Sequence, residues 1–133
     1  MAGMNATALA LTACLAVTPA KALERAEVHL DCMAIYAILE VAAPHLAGLA
    51  DERGTTARQS YFRDLPKPSP VPMPLTTGEM ETETRDRLIR RGTRLADAET
   101  EDEVTRETDA LLADIHACDA HYRLEPTPTP WRD

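Results

Sequence analysis

The sequence predicts an all-α protein: a small antiparallel helical bundle of three main helices, with a polyproline-type connector and one disulfide. Three observations lead there. Apolar residues recur at alternating steps of four and three in two long segments, the period that gathers side chains on one helical face. Most of the ten prolines fall in two tracts outside those segments. No segment alternates apolar and polar residues with comparable regularity, as a half-buried strand would.

Size and charge narrow the function classes. The chain has 133 residues, with 22 acidic against 14 basic side chains and a formal net charge of −8. That length suits one small domain and excludes a large α/β enzyme. With one Trp, three Tyr and one Phe, a core has to be built from Ala, Leu, Ile and Val, and small domains bury a modest share of their surface. The acidic excess argues against a nucleic-acid partner, which Lys and Arg would have to neutralise.

Taken in order, residues 6–17 (ATALALTACLAV) form an uncharged apolar run. It is shorter than the roughly 20 residues a membrane span needs and suits the hydrophobic part of a secretory signal. Thr18-Pro19 breaks the run, and Ala20-Lys21-Ala22 supplies a small-x-small cleavage pattern. Residues 1–22 are therefore read as a cleavable signal peptide, and the protein as exported, periplasmic or secreted, without a membrane span in the mature chain. No Lys or Arg precedes the run. Two alternatives stand beside this reading: a lipoprotein anchored at Cys14, through the box Leu11-Thr12-Ala13-Cys14, and an unprocessed cytosolic chain with an Ala-rich first helix. Cleavage after Ala22 removes Lys21 and makes the mature chain more acidic by one charge.

Residues 23–125 form the expected single helical domain. Val28, Cys32, Ile35, Leu39, Ala42, Leu46 and Leu49 share one stripe, widened by Met33, Tyr36 and Ile38. Pro44 lacks a donor and clashes with the carbonyl of Glu40, so a kink or break is expected there. Gly54 is the expected stop, and residues 55–64 are read as a further short helix. Residues 65–75 (LPKPSPVPMPL) alternate prolines and are expected to be extended polyproline II. At ~3.1 Å per residue this strip spans about 30 Å, enough to return along a helix.

The second long helix starts at a capping box, Thr76 with Glu79. Its apolar stripe is thin: Leu88, Ile89, Gly92, Leu95 and Ala96, with Gly92 expected to permit close helix approach. Thr100 and Glu103 repeat the capping box, so a third helix is expected to begin near residue 101. It carries Val104, Thr108, Leu111, Ile115, Cys118 and Tyr122 and is expected to end at Pro126. Polar faces opposite these stripes make an antiparallel bundle the economical packing. Residues 126–133 are expected to be a flexible Pro-rich tail, with Trp131 as an anchor.

Loss of Cys14 with the signal leaves Cys32 and Cys118, on the apolar stripes at opposite ends of their helices. Antiparallel packing makes those ends neighbours, and an even count in an exported chain points to a disulfide. His29 precedes Cys32 by three residues and His121 follows Cys118 by three, so the register that joins the cysteines also joins the histidines. If the thiols stayed reduced, His29, Cys32, Cys118 and His121 would offer a tetrahedral Cys2His2 metal set; a disulfide and that site exclude each other. His116 and His45 have no evident partner.

Arg87, Arg90, Arg91 and Arg94 share one helical face and form a candidate anion-binding stripe. The preferred reading is a solvated face with Glu83/Arg87 and Asp86/Arg90 pairs, neutralised further by the acidic residues between Asp97 and Asp109. No nucleophile elbow, phosphate-binding glycine loop or H-E-x-x-H motif occurs, so no catalytic residues and no cofactor are implied. The expectation is an exported cell-envelope helical protein with a binding or structural role and a protein partner. The alternatives are a metal-binding or thiol-redox module built on Cys32, Cys118, His29 and His121, and a cytosolic regulator or partner subunit.

Overall fold

A computed structural model describes residues 19–65 and 77–131, with side chains from residues 25 and 78 onward in the two stretches. Four helices pack together: α1 (Pro19–Ala42), α2 (Ala47–Asp64), α3 (Thr77–Ala96) and α4 (Glu101–His121). A single 3-10 turn, Pro44–Leu46, joins the first two. There is no strand among the described residues. The expected signal peptide up to Thr18, Cys14 and nearly all of the proline connector lie outside the described residues, as does Thr76 of the first capping box.

The expected first long helix is two helices. The break falls where Pro44 predicts it, with the Leu46 amide bonded to the Ala43 carbonyl at 2.8 Å. Gly54 is not a stop. The short helix expected over residues 55–64 is the second half of α2, which runs through Gly54 because Ala50, Arg53, Ala57, Ser60 and Tyr61 are all buried along it. Burial of a whole face outweighs the ~1 kcal/mol that one glycine costs a helix. The helix folds back on α1, so that Tyr61 and Leu65 share an apolar cluster with Ala26 and Leu30.

Met80, at the start of α3, belongs to that same cluster. Leu65 and Met80, on either side of the connector, lie at one end of the bundle. α3 therefore runs parallel to α1. The course is up-down-up-down.

At the middle of the bundle α1 is the central helix. Cys32, Ile35, Tyr36 and Leu39 join Leu111, Ile115 and Cys118 of α4 and Ala50 and Ala57 of α2 in the main core. Burial on several sides turns its expected single stripe into something wider. Ala26, His29, Leu30 and Ala34 are buried too, whereas Val28, placed on the stripe, is 40% exposed.

Thr100 caps α4 as expected, its Oγ1 accepting from the Glu103 amide at 3.1 Å. The reciprocal bond differs: the Glu103 carboxylate accepts from the amide of Glu99, 2.9 Å away. The backbone amides of Glu99 and Thr100 hold the Glu103 carboxyl below its ordinary range. The other end of α4 departs from expectation, since the helix stops at His121, well before Pro126. The Leu124 amide bonds to the Asp119 carbonyl and the Arg123 amide to that of Ala120. This is a Schellman cap with Arg123 at φ 56° in the usual glycine position.

Candidate functional site

Cys32 and Cys118 stand at disulfide distance, with sulfurs 2.16 Å and Cα atoms 5.7 Å apart. Both are buried in the main core. The register read from the sequence holds in full: the rings of His29 and His121 lie 5.5 Å apart. Ile35 with Ile115 and Leu39 with Leu111 continue that register into the same core.

The Cys2His2 arrangement is not assembled. Each sulfur faces the other, and both ring nitrogens of the buried His29 are occupied. Nε2 lies 2.6 Å from Asp64 and Nδ1 lies 2.6 Å from the Tyr122 hydroxyl. A neutral ring satisfies both, with Nε2–H donating to Asp64 and Nδ1 accepting from Tyr122. Burial raises the Asp64 carboxyl, but hydrogen bonds from His29 and Arg63 outweigh it and hold the group below its ordinary range. Burial and the nearby Asp64 charge push the Tyr122 phenol far above its usual value. No group of three or more ligand-type side chains among the described residues is arranged to hold a metal ion.

A second polar site, which the sequence reading did not anticipate, adjoins the cysteines. Asp119 is 1% exposed, and both its oxygens are fully engaged. Oδ1 accepts from the Tyr36 hydroxyl at 2.8 Å and pairs with Arg53 Nη1 at 2.8 Å. Oδ2 accepts from both the backbone amide and the hydroxyl of Thr127, each at 2.7 Å. Arg53 also donates to the Thr127 hydroxyl at 2.7 Å, and His116 Nε2 donates to the Thr127 carbonyl at 2.9 Å. Burial, then the Asp119 hydrogen bond, drives the Tyr36 phenol far above its ordinary range.

Three elements meet here: Tyr36 from α1, Arg53 from α2, and His116 with Asp119 from α4. The backbones of α2 and α4 do not touch, so the tail segment fills the space between them. The tail expected to be free is thus held at Thr127, which is 2% exposed. A buried carboxylate without this set would cost several kcal/mol, and the paired arrangement removes that cost. A signal for the site exists in the sequence. Asp119 follows Ile115 by one turn and adjoins Cys118, on the face the stripe predicts to be buried.

The arginine stripe is divided among partners. Arg87 bonds to Asp31 at 2.8 Å and to Glu83 at 3.1 Å, and these carboxylates keep its guanidinium more basic than usual against the opposing effect of burial. Arg91 pairs with Asp114. Arg90 is 69% exposed, reaching Glu83 at 3.9 Å and the Asp86 carbonyl, not its carboxylate. Arg94 lines a shallow pocket that also holds Glu107 and Asp114. Neutralisation therefore comes mainly from α1, Glu83 and α4 beyond Asp109, rather than from the acidic run between Asp97 and Asp109.

Beside this stripe, Ala37, Ile38, Val41 and Ala42 of α1 face Leu88, Gly92, Leu95 and Ala96 of α3 across an open apolar groove of about 300 Å³. A Cβ at Gly92 would meet no atom within 4 Å, so the expected close helix approach does not occur there. None of the described helices is long and apolar enough to cross a membrane. Comparison with protein-family models, curated proteins and solved structures finds no significant match.

Proposed function

We propose that this chain is a small exported protein of the cell envelope whose role is binding or structural rather than catalytic. The observation that carries the reading is the buried Cys32–Cys118 pair at disulfide distance. A disulfide suits an oxidising compartment. Its burial favours a structural bridge over a thiol that exchanges with other proteins, which needs access.

In a chain with few aromatics, a bridge closing an 86-residue loop contributes ~4.5 kcal/mol in the chain-entropy treatment. That is close to the whole net stability of a small domain. Intact mass with amino-terminal sequencing of the protein purified from its native cell tests the reading. A chain beginning at Leu23 and two hydrogens lighter than its reduced form is expected. An intact Met1 with two alkylatable thiols overturns it.

A further inference from the structure

Every hydrogen-bonding group of Thr127 is read by a side chain of the bundle. Asp119 takes its amide and hydroxyl hydrogens, Arg53 donates to its hydroxyl oxygen, and His116 donates to its carbonyl. The flanking residues suit that recognition. Pro126 and Pro128 fix their own φ, and Pro128 holds Thr127 extended. A polyproline-type strand makes no internal hydrogen bonds, so its main-chain groups are open to be read. Pro130, two residues beyond Pro128, is buried as well.

The segment reaches its seat only through residues 123–125, and that hinge begins at Arg123 in the left-handed region, a conformation costing a non-glycine residue roughly 1–2 kcal/mol. Apart from Thr127 itself, all the reading groups belong to the helices.

We propose that Tyr36, Arg53, His116 and Asp119 form a binding cradle for an extended Pro-Thr-Pro peptide segment, occupied in cis by residues 126–130 and open to the same segment of a second copy. The contacts of the exchanged tail are identical to those within one chain, and opening the hinge relieves Arg123, so exchange costs mainly association entropy. The inference supplies a ligand class for the proposed binding role. It rests on that reading only for its cellular setting, and its test is separate from the amino-terminus and thiol measurements.

The experiment titrates a fluorescein-labelled peptide of residues 124–131 into the full chain and into its Thr127→Ala variant, followed by anisotropy. Emission of Trp131, the single tryptophan, reports whether the tail is seated. The Thr127→Ala chain is expected to release its tail, keep its helical circular dichroism and bind the peptide. The unaltered chain binds the peptide about tenfold or more weakly, because its own tail competes at an effective concentration near millimolar. A Thr127→Ala peptide does not bind, and a Thr127→Ser chain restores the seated Trp131 signal. Sedimentation of the unaltered chain shows dimers that rise with concentration and that Thr127→Ala removes.

Equal binding of the peptide by both chains, no binding by the Thr127→Ala chain at millimolar peptide, or an unmoved Trp131 signal in that chain overturns the cradle. So does loss of helicity in the Thr127→Ala chain, since the tail would then be a core element instead of a ligand. Monomers at every concentration overturn the second copy as the source.

Discussion

The face joining α1, α2 and α4 and the flank between α1 and α3 are built from similar amphipathic helices and finish very differently. Around Cys32, Cys118 and Asp119, polar groups enter the interior and find partners at 2.6–2.8 Å in His29, Tyr36, Arg53 and Thr127. On the α3 flank an apolar groove lies between the helices. The groove stays open, with Val41 80% exposed along it. Side-chain size accounts for the difference. α4 presents Leu111, Ile115 and Tyr122 to α1, whereas along the groove α3 places the small Gly92 and Ala96 beside Leu88 and Leu95. Beyond the Arg87–Asp31 pair, Gly92 and Ala96 add too little side-chain volume to fill the groove. The lesson is that a buried polar group can close an interface tightly when every atom is met, while a thin apolar stripe leaves one open.

That contrast is broken most severely at the cysteines. Cys32→Ser is expected to lower stability by ~4.5 kcal/mol, read as an earlier denaturant midpoint, and an unchanged midpoint would show that the pair carries no cross-link. Asp119→Ala follows. It strands the largely buried Arg53 guanidinium and the Tyr36 hydroxyl, so a loss of about 3–5 kcal/mol is expected in the same measurement. Arg123→Gly works in the other direction, relieving the left-handed residue in the α4 cap, and should raise stability by up to ~1 kcal/mol.

Titration sharpens the comparison, because the ionisable groups with the clearest shifts in the interior lie on the closed face. Asp64 is held below its ordinary range in the fold, so its contribution is present above the unfolded carboxylate pKa and lost as pH falls through the lower folded value. Acid unfolding should therefore steepen below about pH 4, and Asp64→Asn should flatten that limb. Tyr36 and Tyr122 are raised in the fold; their contribution is complete below the unfolded phenol pKa and declines as pH climbs past about 10. Tyr36→Phe should shift the alkaline limb. The smallest effect belongs to the open flank, where Val41→Lys should change stability by no more than about 0.5 kcal/mol, and a larger loss would mean that the groove is closed in solution.

Much of the closed face was legible before any coordinates. The matched positions of His29, Cys32, Cys118 and His121 encode a register, and helical period carries register directly. Thr100 with Glu103 announced the start of α4, because a cap is a local hydrogen-bond problem. The Asp119 cradle was not legible as a whole. Its members are separated by up to 91 residues, from Tyr36 to Thr127, and only Tyr36 and Asp119 sit where a stripe marks them as buried. Arg53 beside Gly54 reads as the end of a helix until a partner surface buries it.

By itself, the sequence determined the helical class, the break at Pro44, the start of α4 and the pairing of its first helix with its last, since each depends on local backbone chemistry or on period. Tertiary structure decided the rest. It carried α2 through Gly54, ran α3 parallel to α1, ended α4 at His121 and drew the Pro-rich tail onto Asp119. The physical reason is common to all four: weak local preferences of about 1 kcal/mol yield to burial and to the need of each buried polar group for a partner, and both are properties of neighbours distant in the chain.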